Sequence, residues 1–310
     1  MSKEPKQIPK SARFLLGGSA GISATIITQP LDMLKNRMQM SGLGKKEKQY
    51  KTSIHALTDI VQKEGFLELY NGLSAGVLRQ ATYTTSRMGI YSYLLESLKK
   101  NDYKLTFPLR VGCGLGAGVV GAFIGTPADV AMIRMTSDGR LPPSERRNYR
   151  HVFDALIRIV REEGVLAMWT GVLPTIGRAM VVNAVQLSTY STVKEQLIKM
   201  KVVDDNILCH FLASMMSGFL STVASLPIDI AKTRMQNMKI VDGRSEYSGM
   251  VDVIGKVVAQ EGVLALWKGF TPYYARLGPH TVLTFIFMEE YTRLYRVYVM
   301  KDTSGEGSGF

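Results

Sequence analysis

Uncharged and charged residues are segregated along this chain into blocks that come round three times. Arg13 to Asp32 encloses 18 uncharged residues, Arg110 to Asp129 encloses 18 and Asp205 to Asp229 encloses 23. As helices these are long enough to cross a membrane, for which about 20 apolar residues suffice. Each block runs into a proline, and charge follows at helical spacing. Proline removes an internal hydrogen bond, so a kink is predicted in each helix, which then resumes. Polar basic loops come next, over 41–51, 137–150 and 238–246. Beyond them Ile54, Leu57, Ile60 and Val61 recur at helical spacing, as do Phe153, Leu156, Ile157 and Val160, and Val251, Ile254, Val257 and Val258. That spacing predicts a short amphipathic helix along a membrane surface in each third of the chain. A second long helix is predicted to start near Leu73, Val172 and Phe270, and arginine interrupts every one.

The blocks are copies of one unit. Pro30-Leu31-Asp32 with Lys35 and Arg37 returns as Pro127-Ala128-Asp129 with Arg134, and as Pro227-Ile228-Asp229 with Lys232 and Arg234. Glu64-Gly65 with Tyr70-Asn71-Gly72 matches Glu163-Gly164 with Trp169-Thr170-Gly171, and Glu261-Gly262 with Trp267-Lys268-Gly269. Tyr50, Tyr149 and Tyr247 keep the same register. A fixed period of roughly 100 residues means a repeat architecture. The predicted boundaries are 13–100, 107–200 and 206–300, between tails over 1–12 and 301–310. Gly17 and Gly21, Gly114 and Gly118, and Ser214 and Gly218 give each first helix a small-residue face for close packing.

Net charge of +12, from 38 basic and 26 acidic residues, suits anionic lipid and anionic solute. Nucleic acid is a poor fit, because no nucleic-acid motif accompanies the charge and the arginines lie inside apolar spans. Cys113 and Cys209 form no CxxC and read as small buried apolar residues. The N-terminus has no apolar segment with a cleavage site, so no secretory signal is expected. Neither a nucleophile with its base, a metal cluster nor a phosphate loop is present, which leaves an enzyme without support and no cofactor implied.

The candidate chemistry is cationic. Counting from Gly72, Gly171 and Gly269, the seventh residue is Arg79, Arg178 and Arg276 in turn, about 10 Å along the helix at about 1.5 Å per residue. An arginine facing lipid at that depth is costly, so all three are expected to face a polar cavity or a partner. No acid lies between 71 and 95 or between 170 and 193, so pairing within the helix is excluded and an anion site is favoured. Tyr83 and Arg87 share a stripe with Arg79. Asn183, Gln186 and His280 are candidate second-tier donors or helix-packing polar groups. Arginine suits carboxylates because its planar fork makes two parallel hydrogen bonds.

These two motifs, each present three times over nearly the whole chain, resemble the mitochondrial carrier family. Within it, 72–91, 138–164, 205–218 and 268–287 are similar to members that exchange 2-oxoglutarate for malate. The resemblance implies an all-α membrane protein. Six transmembrane helices would form a threefold pseudo-symmetric barrel in the mitochondrial inner membrane, with three short matrix-side helices and both termini toward the intermembrane space. It implies dicarboxylate antiport, or alternatively malate/phosphate exchange or an uncoupling-type leak, by a protein working as a monomer. Substrate contacts would fall on Arg79, Tyr83, Arg87, Arg178 and Arg276. A matrix gate would pair Asp129 with Lys232 and Asp229 with Lys35. Asp32 lacks such a partner because Met132 stands where the base belongs, and Gln39 and Gln236 match brace positions, with Thr136 in the third. The opposite, cytoplasmic gate is incomplete: Lys194 lacks its acid, and Glu289, Glu290 and Arg293 make up one set, a reading that stands beside that of a solvated helix end. Cardiolipin phosphates would bind at the helix starts at Gly72, Gly171 and Gly269.

Overall fold

The computed structural model describes residues 9–41, 50, 52–101, 106–141, 144–200, 207–238, 240–241 and 244–300. In chain order these build α1 (Lys10–Gln39), α2 (Ser53–Glu64), α3 (Leu73–Arg79), α4 (Thr85–Lys100), α5 (Phe107–Ser137), α6 (Val152–Glu163), α7 (Val172–Lys199), α8 (Ile207–Asn237), α9 (Met250–Glu261) and α10 (Phe270–Leu294). A π turn over Gln80–Thr84 joins α3 to α4 into one long helix, and a two-residue hairpin, Ile240–Val241 with Arg244–Ser245, lies before α9. Each repeat thus supplies a long helix, a short one and a second long one. The predicted tails over 1–12 and 301–310 fall largely or wholly outside the described residues.

The motif prolines do not end their helices; α1, α5 and α8 run through Pro30, Pro127 and Pro227. A proline leaves the carbonyl four residues back without its helical donor. For Pro127 that carbonyl is Phe123, which accepts from the Trp169 indole at 3.0 Å; for Pro227 it is Val223, which accepts from Trp267 at 3.0 Å. In the second and third repeats the aromatic of the second motif therefore satisfies the backbone group that the first motif orphans.

The long helices close a ring. Each repeat's last long helix packs against the next repeat's first: α3 and α4 on α5, α7 on α8, and α10 back on α1. The proline-bearing ends of α1, α5 and α8 also meet one another. That end holds the apolar core, divided in three. Met33, Leu34, Tyr50, Ala56 and Ile60 form one cluster; Val130, Ala131, Tyr149, Val152 and Ile159 the second; Ile230, Ala231, Tyr247, Val253 and Val257 the third. In each, a short helix buries its apolar face on the end of a long one. Away from these clusters apolar side chains such as Ile27, Phe123, Phe219 and Phe285 are exposed.

Among the described residues, three stretches qualify by length and apolar composition to cross a membrane: Leu109–Arg140, Val165–Lys199 and Leu212–Asn237. Two match the predicted blocks, and the third is the long helix of the second repeat's latter half.

Candidate functional site

Where the proline-bearing ends converge, three carboxylates and five cations meet inside the ring. Lys35 Nζ donates to Asp229 Oδ2 at 2.8 Å and Lys232 Nζ to Asp129 Oδ2 at 2.7 Å, the two cross-repeat pairs expected of a gate. The three arginines reach the same carboxylates. Arg79 Nε lies 3.5 Å from Asp129 Oδ1, Arg276 Nη1 lies 2.9 Å from Asp32 Oδ1, and Arg178 pairs with Asp229 while donating to the Tyr273 hydroxyl at 2.6 Å. Together these groups line a cavity of about 50 Å³.

Two expectations change. Asp32 is not left without a partner by Met132: Arg276, from the far end of the chain, takes the place of the missing base. The lack of acids between 71 and 95 and between 170 and 193 does not leave the arginines unpaired, for each of the three is met by a motif aspartate from a first helix. Asp32 nevertheless keeps one buried oxygen, Oδ2, with no hydrogen bond among the described residues.

Toward the other end of the ring, Tyr83 and Arg87 stand one and two turns above Arg79. The Arg87 guanidinium lies over the Tyr83 ring, 5.5 Å from its centroid. Both side chains pack where α5 is bare: a Cβ at Gly125 would lie 3.1 Å from Tyr83 Cβ, and one at Gly121 3.1 Å from Arg87 Cβ. A larger cavity of about 340 Å³ opens here and includes Asn183. Gln186 is exposed, and its backbone carbonyl accepts from Ser217 at 2.8 Å. His280 Nε2 is buried near Arg276 without a hydrogen bond among the described residues.

The brace positions sit under the helix starts. Gly72, Gly171 and Gly269 precede α3, α7 and α10 with φ of 81°, 80° and 82°, the left-handed region in which a side chain is strained. A Cβ on them would meet Thr136 at 2.8 Å, Gln236 at 2.8 Å and Gln39 at 3.2 Å respectively. Glycine is needed here for packing whatever the free N–H groups of these helix starts bind. Gln39 Oε1 accepts from Thr233 at 2.7 Å, whereas the Gln236 amide has no hydrogen bond among the described residues. At the opposite end Arg293 reaches Glu290 at 3.6 Å, one turn along the same helix, and Glu289 is exposed. Lys194 is half-buried.

A buried network went unforeseen. Arg37 binds Glu64 with both ends of its fork, at 3.1 and 2.6 Å, and donates through Nε to the Thr136 carbonyl of the next repeat at 2.6 Å. Arg134 binds both oxygens of Glu163 and donates to the carbonyls of Gln236 and Met238, each at 3.1 Å. Arg234 binds Glu261 at 2.6 Å, but there Lys268 makes the inter-repeat bond, to the Ser41 carbonyl at 2.8 Å, and also holds Glu261. Burial alone would raise the Glu261 carboxyl; hydrogen bonds from Arg234 and Lys268 outweigh it and hold it below the usual range. Both partners of each pair were visible as repeated motif residues, and the nearly constant spacing between them was the signal.

The model of the mitochondrial carrier protein family matches residues 6–102, 103–201 and 203–298. The mitochondrial 2-oxoglutarate/malate carrier protein of Homo sapiens is 59% identical over 294 residues, which cover 94% of each chain. The protein of that name from Caenorhabditis elegans is 57% identical over 295 residues, 95% of this chain and 96% of its own. Mitochondrial uncoupling protein 5 of Arabidopsis thaliana is 40% identical over 307 residues, 92% of this chain and 98% of its own.

Proposed function

Because the chain belongs to the mitochondrial carrier protein family, we propose that it exchanges 2-oxoglutarate for malate or a related dicarboxylate across the mitochondrial inner membrane. Its six long helices span the bilayer as a barrel, the short helices lie on the matrix side and both termini face the intermembrane space. One central site, lined by Arg79, Tyr83, Arg87, Arg178 and Arg276, is reached from either side in turn. Cardiolipin phosphates bind at the helix starts at Gly72, Gly171 and Gly269, and a monomer suffices for transport. The substrates in the relatives' names support this reading over an uncoupling-type leak, given 59% identity against 40%.

The observation that carries the proposal is the charge of the central cluster. Five cations, Lys35, Lys232, Arg79, Arg178 and Arg276, face three carboxylates, Asp32, Asp129 and Asp229, in one small cavity. The surplus is two positive charges, which a dicarboxylate dianion neutralises. A buried unpaired charge costs several kcal/mol, so the empty cluster is held by its own aspartates. An arriving substrate replaces them on the arginines, one carboxylate for another. An aspartate released from its arginine loosens the tie between repeats, and the matrix end opens. Asp129 and Asp229 keep their lysines when their arginines are taken. A counter-substrate keeps the arginines neutralised on the return step, which favours exchange over one-way transport.

The test is reconstitution in liposomes with and without internal malate. External 2-oxoglutarate enters only vesicles holding a counter-substrate, and Arg178→Ala lowers exchange at least about hundredfold, the loss of one charge-assisted bidentate contact. Lysine at 178 restores little, because a point charge does not reproduce the fork. Uptake without internal anion would instead establish a leak.

A further inference from the structure

The three central arginines each lie on an aspartate, but two arginines nearer the other end of the ring do not. Arg87, in α4, and Arg110, in the first turn of α5, both line the cavity of about 340 Å³, together with Tyr83, Tyr91 and Asn183. Among the described residues no acid lines this cavity, and neither guanidinium makes an ion pair. Glycines on α5 create the space. A Cβ at Gly118 would meet nothing within 4 Å, and one at Gly114 would only touch Tyr91 at 4.0 Å. Cations with low-dielectric walls around them and no counter-charge concentrate anions.

We propose that Arg110 forms an outer docking station where a small dicarboxylate is held before it passes, by way of Arg87 at the upper edge of the central site, to the aspartate-held arginines below. The proposal rests on the dicarboxylate reading above and adds a step to it. A substrate arriving at the ring meets two uncompensated guanidinia first and exchanges onto aspartate-held ones only afterwards. Arg110 is a positioning residue: it raises occupancy of the path and takes no part in closing the gate.

The full-length protein in liposomes, loaded with malate, tests this with 2-oxoglutarate varied on the side to which the larger cavity opens. Arg110→Gln is expected to raise KM three- to tenfold while maximal exchange stays within twofold. Its KM should also respond less to ionic strength, because part of the attraction has been removed. Arg110→Lys should recover most of the loss, since capture needs charge more than fork geometry. Gly118→Leu puts a larger side chain into the cavity, where a Cβ meets nothing within 4 Å, while keeping both arginines, and should raise KM similarly, which keeps the test decisive if Arg110→Gln folds poorly. An unchanged KM in Arg110→Gln, or a lower maximal rate at unchanged KM, overturns the outer station. If Arg178→Ala is inactive while Arg110→Gln and Gly118→Leu both keep wild-type KM, the station alone fails. If Arg178→Ala transports normally, the central site fails instead.

Discussion

At the end of the ring that carries the motif prolines, ion pairs are buried and pass from one repeat to the next; at the other end the pair of Arg293 with Glu290 is exposed and stays within one helix. The Lys35 and Asp229 side chains are 12% and 2% exposed and lie on α1 and α8, whereas Arg293 and Glu290 are 66% and 50% exposed, three residues apart on α10. The difference is one of dielectric as much as of contacts. A buried pair loses several kcal/mol when one partner goes, because the other is stranded, while an exposed pair is worth about 0–1 kcal/mol. One end is thus a lock with discrete keyed positions, the other a solvated rim. Under the proposed exchange, the buried end is the one where a competing anion would change the balance.

Removing a keystone of the buried end should have the largest effect. Arg134 is fully buried and ties α5 to Glu163 within its repeat and to two carbonyls of the next. Arg134→Leu removes both guanidinium contacts of the Glu163 carboxylate and the donors of two carbonyls, and should cost about 3–5 kcal/mol. Thermal unfolding in detergent would then fall by well over ten degrees, or no folded protein would be recovered. A shift of less than about three degrees would mean that the seams between repeats do not depend on this network.

A smaller loss at the same end is expected from Gly171→Ala. The backbone there is left-handed, and the new methyl would lie 2.8 Å from Gln236 Cγ. Strain in φ costs about 1–2 kcal/mol, and the brace must also shift. The same substitution at Gly118, with right-handed helical backbone and open space, should leave stability within about 0.5 kcal/mol. Equal effects at both positions would show that the helix start at Gly171 has no special geometry.

How far the chain itself disclosed this contrast depends on where each partner sits in the sequence. The ion pairs Lys35 with Asp229 and Lys232 with Asp129 were legible because both members lie in one motif that occurs three times. The helices and their order were legible from periodicity, but the packing glycines of α5 were not: Gly114 and Gly118, the expected close-packing pair, leave open space, and Gly121 and Gly125 lie against Arg87 and Tyr83 instead. The aspartate partners of Arg79, Arg178 and Arg276 were not legible either. The stretches 72–94 and 171–192 hold no acid, and the partner of Arg276 is Asp32, near the opposite end of the chain. Ring closure brings them together, and no local pattern records that. The pairing of Arg37 with Glu64 was hidden differently: both residues were noticed, but in two motifs treated as separate. The π turn at Gln80–Thr84 left no mark in the hydrophobic pattern, which continues through it.

Met132→Lys sharpens the comparison from the other direction, by adding to the lock. Its repeat equivalents are Lys35 and Lys232, and Met132 lines the same cavity as Asp32. Arg276 already occupies Asp32 Oδ1, but Oδ2 is buried without a hydrogen bond. A lysine there supplies the missing donor, and the gain, after its own desolvation, is about 1 kcal/mol. That energy shifts the population about fivefold toward the state closed at the proline-bearing end. Substrate-free protein should melt a few degrees higher and exchange more slowly at saturation. A protein less stable than the parent and no slower would mean that Oδ2 is satisfied already, or that residue 132 turns away from Asp32 in solution.

The smallest effect is expected at the rim. Glu290→Gln removes the acid of a pair that spans 3.6 Å, is mostly exposed and joins residues of a single helix. Water and salt screen such a pair, and holding two long side chains together costs entropy, so the net contribution is about 0–0.5 kcal/mol. Melting temperature should stay within a degree or two of the parent, and the difference should vanish at high salt. Exchange should be unaffected in both directions, because breaking a contact within α10 releases no other helix. A loss of several degrees, or a change in maximal exchange, would place Glu290 in a gate that ties α10 to a neighbouring helix. The rim would then be a second lock and the contrast between the two ends would disappear.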